Sequence, residues 1–513
     1  MKRVFIFLLT FSLIFASAGC KKNAPADTGS GFEEMNTDIS YGGSVQAYIL
    51  RPDTFNPLTT GISSNRRILS LCFDSLFTLD SGFNLVPRLA ESYSVSDGGK
   101  KIRIHLRQDV TWHDGSKFTA SDVIYTVNNI VSSDNSYYRS VLDGLISRVR
   151  TVDSYTVDFY LNYPNNGAVA HLVFPIIKKG TGFSEGYSPI GTGPFRLKGG
   201  LTESSVILEK NPDWKCGEVY IDSVVLNVLP DENAVYSAFS TGVIDFVQIT
   251  KDNAGKFSIS ENIGYIPTYS YKYTFVGLNF ENSLLASDDV RKTISNLLNT
   301  ETFTHSVLSD YGIATNLPIH PMAYYYNPEK PSFDSPFVVK EEGLLYYRTP
   351  SENIPLEFTL LVNEENTARC TVAEHLAAVL GEHGISVKVL FADYETYKKR
   401  ISDGDFDMYL GTTQLSSDAN LHPIVGNEGN LNYGKFYNDS VETLLNNLLT
   451  CENPSYRSEI LKKLQLELYN TVPHIPLYFE NEMIVYNSKK ISNVHPVPSG
   501  NISEFLSMCC VNE

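Results

Sequence analysis

Apolar and polar positions alternate along the chain with two different periods. Across 101–106 (KIRIHL) every second residue is apolar, which predicts a strand with one buried face. Downstream, apolar residues recur at helical spacing behind Thr119 and Asp122, a pair that predicts a capping box at the start of a helix. Further on, a strand and a turn lead into a helix with Asp231 as its N-cap and Gly242 at its end, followed by a short strand.

The stretch 356–411 carries the clearest alternation of the two periods. It predicts a strand at 356–362, a helix at about 367–381 ended by Gly384, a strand at 386–391, a helix at 393–402 and a strand at 406–410. This order is typical of an open α/β unit with parallel strands, so the predicted fold class is α/β. Ligands of such sheets bind beyond the carboxyl ends of the strands. We therefore expect the loop 411–422 (GTTQLSSDANLH) to face a cleft.

The first 38 residues have a different pattern. A basic pair at 2–3 precedes an apolar run at 4–16, and small residues at 16–19 follow it, as in a secretory signal peptide. The run is shorter than the roughly 20 residues that cross a bilayer as a helix. The sequence therefore predicts a signal peptide at 1–19. Beyond Cys20, the chain to residue 38 is polar and rich in Gly, Ser, Asp and Ala, which is typical of a flexible tether.

Size and charge restrict the function. The 513 residues are enough for two or three domains after processing. A net charge of −17 argues against nucleic acid, which selects basic surfaces. With 31 tyrosines and only two tryptophans, an aromatic cleft would be lined mainly by Tyr and Phe.

Motifs of catalysis are missing from the sequence. There is no GxSxG elbow, P-loop or HExxH, and none of the ten histidines has a metal-ligand spacing. The six cysteines beyond Cys20 form no CxxC pair and are typical of small buried hydrophobic residues. The sequence therefore predicts no enzyme, no metal site and no cofactor.

The end of the signal peptide, SAGC, resembles the lipobox of bacterial lipoproteins, although Ser17 stands where the usual motif has a branched residue. The resemblance implies that Cys20 is the lipidated first residue of the mature chain. Lys21 and Lys22 would add attraction to anionic headgroups, and two membrane signals hold far better than one. We expect the protein to be anchored at the outer face of the cytoplasmic membrane.

Several blocks in order resemble the large bacterial solute-binding proteins of the peptide and nickel class, the receptors of ABC importers (family 5). They are LAESYSVSDGGKKIRIHLRQDVTWHDGSKFTASDVIYTV, PIGTGPFRL, NPDWKCGEVYIDSVVLNVLPDENAVYSAFSTGVIDF, VGLNFENSLLASDDVRKTISNLLNTETFTHSVL, LNYGKFYNDSVETLL and VPHIPLYFENEMIVYN. The resemblance implies a periplasmic-binding-protein-like fold, in which two lobes joined by a hinge close on a ligand in the cleft between them. It divides this chain into lobe I at 39–273 plus 480–513, with an extra subdomain at about 71–189, and lobe II at 274–479.

The resemblance also implies which residues contact the ligand. These are Gly61, Ile62 and Ser63 in an early loop, Tyr137 and Tyr138, and Gly411, Thr412, Thr413, Gln414 and Asp418 after the last predicted strand. Peptide receptors of the family have a tryptophan and an aspartate in that last segment, and the aspartate pairs with the α-ammonium of the peptide. Here Thr412 and Leu415 occupy those two places. Either Asp418, three places later, or another acid supplies the missing charge, or the ligand has no free peptide N-terminus.

Together these features predict a lipid-anchored, monomeric receptor that binds a small solute, most simply a peptide, and delivers it to the transmembrane subunits and ATPase of an ABC permease. A receptor for another solute, such as an oligosaccharide, a metal chelate or an opine-like compound, is the first alternative. The altered 411–418 segment favours it, and the shortage of tryptophan disfavours sugars. The second alternative is a secreted hydrolase, which a turnover assay would distinguish.

Overall fold

A computed structural model describes residues 39–181, 189–200, 202, 204–256, 262–495 and 507–511. The predicted signal peptide, Cys20 and the tether at 20–38 lie outside the described residues. The described residues contain no helix that combines the length and the apolar content of a membrane span.

The strands and helices are numbered in chain order. The strands are β1 Ser44–Leu50, β2 Phe77–Leu79, β3 Leu85–Pro87, β4 Ala90–Ser96, β5 Lys101–Leu106, β6 Ile146–Asp153, β7 Thr156–Leu161, β8 Phe195–Leu197, β9 Ser205–Lys210, β10 Ser223–Leu229, β11 Phe246–Ile249, β12 Ile263–Leu278, β13 Gly312–Ala314, β14 Val338–Glu341, β15 Leu344–Arg348, β16 Asn353–Pro355, β17 Glu357–Asn363, β18 Ser386–Ala392, β19 Met408–Gln414, β20 His474–Asn487, β21 Ile491–Ser492 and β22 Cys509–Cys510. The α-helices are α1 Ser63–Leu69, α2 Ala120–Ser132, α3 Arg139–Leu142, α4 Glu232–Ser240, α5 Asp288–Leu297, α6 Thr300–Leu308, α7 Thr367–Glu382, α8 Tyr394–Asp403, α9 His422–Val425, α10 Asp439–Thr450 and α11 Pro454–Thr471. Short 3-10 helices lie at Ala168–His171, Lys251–Lys256 and Ser309–Tyr311.

The largest sheet has the strand order β11-β20-β12-β19-β17-β18, with β13 paired to β20. Its β17 is parallel to both β18 and β19, so the predicted α/β unit is confirmed. Gly384 ends the helix as predicted, since its φ is +97° and a Cβ there would lie 2.3 Å from the carbonyl oxygen of Gly343. The last strand differs from the prediction at both ends: it was expected at 406–410, and β19 spans Met408–Gln414. Residues 411–414 pair with β12, so they form a strand and not a loop.

A second sheet, β4-β5-β7-β6, confirms the alternating strand at 101–106. The apolar residues of β5, Ile102, Ile104 and Leu106, are buried in one core with apolar residues of α2. The backbone N–H of Thr119 donates to the Asp122 carboxylate at 2.9 Å, which gives α2 its predicted start. In a third sheet, β1-β10-β9-β8, β10 leads into α4, where Asp231 accepts a hydrogen bond from the N–H of Ala234 at 2.9 Å, as predicted.

Buried apolar residues form several separate cores. The largest draws its residues from 45–226, together with Phe246 and residues between 484 and 508. Two others draw theirs from 273–479. The long strands β12 and β20 run through the sheet that links these parts, and their pairing shifts register between Tyr269 and Tyr273 and again between Thr274 and Phe275. A register shift locally interrupts the ladder and bends the strands.

Candidate ligand-binding site

A cavity of about 1040 Å³ lies between α1, α4 and the sheet strands β11, β12 and β20. Its volume is at the upper end of the roughly 300–1,000 Å³ of small-molecule sites. The wall combines aromatic side chains with charged ones, and the charged ones are Arg66, Arg67, Asp74, Arg88, Glu232, Lys272 and Glu482. Such a wall suits a ligand that has both apolar and ionic groups.

Six of the residues singled out from the sequence line this cavity: Gly61, Ile62, Ser63, Tyr137, Tyr138 and Gln414. The early loop is held in place by the Asp53 carboxylate, which accepts hydrogen bonds from the Thr60 hydroxyl at 2.6 Å and the Gly61 N–H at 2.8 Å. Burial raises the pKa of Asp53, but the hydrogen bonds from Thr60, Gly61 and Thr54 together outweigh it, so the net pKa is lowered and the carboxylate stays charged. A charged side chain thus fixes a loop whose residues Gly61 and Ile62 border the cavity.

Gly411, Thr412 and Thr413 do not line the cavity. They lie inside β19, where they pair with β12. A Cβ on Gly411 would come within 2.8 Å of the Phe275 and Tyr409 rings, so a glycine is needed for packing there. The Thr412 hydroxyl is hydrogen-bonded to the Thr274 hydroxyl at 2.9 Å. Only Gln414, at the end of the strand, reaches the cavity wall.

Asp418, predicted from the sequence as a ligand-binding residue, does not line the cavity. Its side chain is buried, with 5% of the residue surface exposed. The carboxylate accepts a hydrogen bond from Asn165 Nδ2 at 2.7 Å and contacts His171 Nε2 at 3.1 Å. Burial raises the pKa of the Asp418 carboxyl, but His171, Asn165 and Ser416 outweigh it, so the net pKa is lowered. The Asp418 carboxylate therefore connects the 415–421 loop to the turn at 165–171 through hydrogen bonds to groups of that turn.

Asp74 is the most buried carboxylate in the cavity wall, with 7% of the residue exposed. Its oxygens accept hydrogen bonds from Trp214 Nε1 at 3.1 and 3.3 Å. Burial raises the pKa of Asp74 to about 6, and Arg88 partly opposes this rise. The backbone N–H of Asp74 donates to the hydroxyl of Thr192, in the GTG turn, at 3.4 Å.

Two of the family-like blocks meet behind this carboxylate. His113 contacts Gly193 O through Nε2 at 3.1 Å and accepts from the Gly191 N–H at 3.2 Å. A Cβ on Gly191 would lie 1.6 Å from the carbonyl oxygen of Cys72, and one on Gly193 would lie 2.6 Å from the carbonyl carbon of Cys72. The two glycines of GTG therefore allow the close backbone approach that supports the Asp74 end of the cavity.

Glu482 forms part of a second polar network in the wall. Arg67 donates to Gln248, and Gln248 Nε2 donates to the Glu482 carboxylate. Burial raises the pKa of Glu482, whereas Arg67 and Lys272 lower it. These contacts connect α1, β11 and β20 beside the register shifts of β12 and β20.

Arg66 lies on the same helix but has different partners. Its Nη1 donates to the carbonyl oxygen of Thr60 at 2.7 Å, and its guanidinium lies 3.9 Å from the centre of the Tyr137 ring. Tyr137 is more than half exposed and packs edge-on against Tyr138, with 5.2 Å between ring centroids. The Arg66 guanidinium therefore has a fixed plane within the cavity wall.

None of the seven charged residues of this wall was among the site residues predicted from the sequence. Arg66 and Arg67 directly follow the predicted 61–63 loop, and two adjacent arginines in a chain of net charge −17 were a usable signal. Trp214 lies in a family-like block, so it too could have been considered. Asp74 and Glu482 gave no such signal, because their burial depends on long-range packing.

Within the described residues, no group of three or more His, Cys, Asp or Glu side chains could hold a metal ion. The cavity wall contains acidic, basic and aromatic groups that can bind a ligand by hydrogen bonds, charge and stacking.

Comparison with known proteins gives the fold and the family. The family model for bacterial extracellular solute-binding proteins, family 5 Middle, matches residues 84–430. The chain is 24% identical over 507 residues to the oligopeptide-binding protein AppA of Bacillus subtilis, covering 93% of this chain and 92% of AppA. It is also 24% identical over 489 residues to the dipeptide-binding protein of Escherichia coli, covering 85% of this chain and 90% of the relative.

Solved structures agree in fold. The nickel ABC transporter structure from Bacillus halodurans superposes with a TM-score of 0.74 at 19% identity and covers 91% of this chain and 98% of its own. HbpA2 from Haemophilus parasuis gives a TM-score of 0.73 at 19% identity and covers 92% and 99%. The α/β, periplasmic-binding-protein-like fold predicted from the sequence is thereby confirmed.

Proposed function

Since the chain belongs to the bacterial extracellular solute-binding proteins of family 5, we propose that it is the receptor of an ABC importer and binds a peptide in the 1040 Å³ cavity. The observation that carries the proposal is the cavity itself, whose wall has ionic groups and aromatic rings around a space large enough for a short peptide. Relatives of this chain include proteins named for binding oligopeptides and dipeptides, which supports this ligand class.

The proposed mechanism is binding followed by movement of two lobes, with no covalent step. Lobe I would comprise 39–273 plus 480–513, with an extra subdomain at about 71–189. Lobe II would comprise 274–479. These boundaries fall at 273/274 and 479/480, beside the register shifts of β12 and β20, where the ladder is locally interrupted. Closure of the lobes would exclude water from the cavity and strengthen its polar contacts with the ligand. The closed receptor, as a monomer, would then dock on the transmembrane subunits of the permease, whose ATPase drives import.

The membrane location is part of the proposal. Acylated Cys20 would hold the receptor at the outer face of the membrane, and the polar tether at 20–38 would let it reach the permease. We expect the Cys20→Ala variant to appear in the culture medium rather than in the membrane fraction, as measured by fractionation and immunoblotting. The Cys370→Ala variant is the matched control and should stay in the membrane fraction. Retention of Cys20→Ala at the membrane would contradict the anchor.

The ligand class is tested by native mass spectrometry of the purified protein and by thermal shift with peptide pools of two to ten residues. A specific ligand at 100 times its Kd stabilises the folded state by about 2.7 kcal/mol and raises the melting temperature. If no peptide does so while another solute class does, the peptide assignment fails.

A non-peptide solute is the second candidate, and one observation favours it. Gln414 lines the cavity where peptide receptors of the family have their aspartate segment, and Asp418 is buried elsewhere. Relatives of this chain include a protein named heme-binding protein A from Haemophilus influenzae. Mass analysis of the released ligand would decide between the classes, and a chemically changed ligand would indicate a hydrolase.

A further inference from the structure

We propose that Arg66 and Tyr137 form an anion-binding subsite, which takes a carboxylate of the ligand rather than its ammonium group. The inference rests on the proposed function, since it concerns the ligand of the same cavity. For a peptide, the group bound at α1 would be the terminal carboxylate.

The first observation is that the cavity wall is rich in cations. Four of the lining side chains are basic, namely Arg66, Arg67, Arg88 and Lys272, whereas three are acidic, namely Asp74, Glu232 and Glu482. The whole chain has the opposite balance, with 41 basic and 58 acidic residues. The lining residues therefore have a small excess of positive charge, whereas the whole chain has an excess of negative charge.

The second observation is that the acidic side chains of the wall have partners of their own. Asp74 accepts hydrogen bonds from Trp214, and Glu482 accepts one from Gln248. Glu232 accepts one from the Tyr236 hydroxyl at 3.5 Å. Among the described residues, no carboxylate lies within 4 Å of the Arg66 guanidinium, whose contacts are the carbonyl of Thr60 and the ring of Tyr137.

The third observation is the orientation of the guanidinium. It is half-buried, fixed by the hydrogen bond to Thr60, and stacked on Tyr137. A guanidinium has five N–H donors in a planar fork that fits a carboxylate with two parallel hydrogen bonds. Since it is already held in place, little side-chain entropy is lost when an anion binds.

The other basic residues of the wall are less suited to this role. Arg67 donates to Gln248 in the network that includes Glu482, and Lys272 forms an ion pair with Glu480. Arg88 donates to the carbonyl of Cys216 and lies near enough to Asp74 to lower its pKa.

The experiment uses the full chain purified in detergent and a peptide pool made in four isotope-labelled forms. The forms combine a free or acetylated N-terminus with a free or amidated C-terminus, and the retained peptides are counted by mass spectrometry. We expect peptides with a free carboxylate to be retained at least tenfold better than amidated ones, and N-acetylation to change retention less than threefold. Equal retention of carboxylate and amide would overturn the inference while leaving the proposed function intact.

Two substitutions locate the effect. Arg66→Gln should abolish the preference for the carboxylate, and Arg66→Lys, which keeps the charge but not the fork, should reduce it. Arg148→Gln is the matched control, because the Arg148 guanidinium also stacks on a tyrosine, 4.1 Å from the Tyr160 ring centre, outside the cavity. This variant should keep the preference. A preference that persists in Arg66→Gln would also overturn the inference.

Failure of the proposed function has a separate signature. If no peptide form is retained, the peptide assignment fails. The anion subsite is then tested by itself, by measuring the rate at which an arginine-selective dicarbonyl reagent modifies Arg66. Citrate or phosphate should slow this modification at least threefold relative to chloride at the same ionic strength, with the rate at Arg148 unchanged. The same rate in all three salts would overturn the anion subsite.

Discussion

Replacing Asp418 by asparagine distinguishes a structural role from the ligand-binding role that the family resemblance implied. The carboxylate accepts from Asn165 Nδ2 at 2.7 Å and, through its other oxygen, from the N–H of Asn420 at 2.9 Å, and it contacts His171 Nε2 at 3.1 Å. Asparagine has nearly the same shape but only one acceptor oxygen, so its NH₂ group would face a donor. The change therefore leaves buried donors without an acceptor while the cavity wall keeps its residues.

The magnitude follows from these contacts. A buried hydrogen bond to a charged group contributes about 1.5–3 kcal/mol, and breaking a buried ion pair by removing one partner costs about 3–5 kcal/mol. Since asparagine keeps one acceptor, we expect Asp418→Asn to lower the free energy of unfolding by about 2–4 kcal/mol. With an unfolding entropy of about 2.1 cal/mol/K per residue over about 475 residues, this corresponds to a fall in melting temperature of about 2–4 °C.

The pH dependence gives an independent check on the same carboxylate. The folded-state pKa of Asp418 is lowered, so its stabilisation is present above the unfolded pKa and is lost as the pH falls through the folded pKa. The advantage of the wild type over Asp418→Asn should therefore be complete above about pH 5 and should decline below about pH 4.

The assay is calorimetric or fluorescence-monitored unfolding of both proteins, together with the affinity for an amine-bearing ligand at pH 7. Asp403→Asn is the control, because the Asp403 carboxylate pairs with Lys399 on an exposed helix surface, where such pairs contribute less than about 1 kcal/mol. We expect Asp418→Asn to change stability and to leave ligand affinity within about threefold, since Asp418 is not a lining residue. An unchanged melting temperature combined with loss of amine-bearing ligands would refute the reasoning and restore the ligand-binding role.

Two further predictions concern the Asp74 end of the cavity. Burial raises the pKa of Asp74 to about 6, so the protonated Asp74 carboxyl contributes its full stability below about pH 4, and this contribution is lost as the pH rises through 6. Between pH 4.5 and pH 7.5, the free energy of unfolding of Asp74→Asn should therefore rise by about 1–3 kcal/mol relative to that of the wild type, as measured by denaturant unfolding at the two pH values. Gly193→Ala should destabilise the protein by about 2 kcal/mol or more, because its Cβ would lie 2.6 Å from the carbonyl carbon of Cys72 and 2.6 Å from the carbonyl oxygen of Leu71. Gly200→Ala, with open space around the new Cβ, should leave thermal unfolding nearly unchanged.

The local elements were predictable because local rules dominate them. The capping box at Thr119, the N-cap at Asp231 and the helix stop at Gly384 each depend on residues within a few positions of one another, and all were confirmed. The parallel order of β17, β18 and β19 followed from the strand–helix–strand pattern. By contrast, the extension of β19 to Gln414 depends on pairing with β12, a partner more than 130 residues earlier in the chain.

The sequence by itself determined the fold class, the family-like blocks and several candidate residues around the cavity, because apolar periodicity and turn residues act over short distances. Only the tertiary structure decided which charges line the cavity. Asp418 lies buried against Asn165 and His171, whereas Asp74 and Arg66 lie in the cavity wall. The physical reason is that the burial and pairing of a charge depend on groups that are distant in sequence, and a carboxylate gives the same sequence signal in either place.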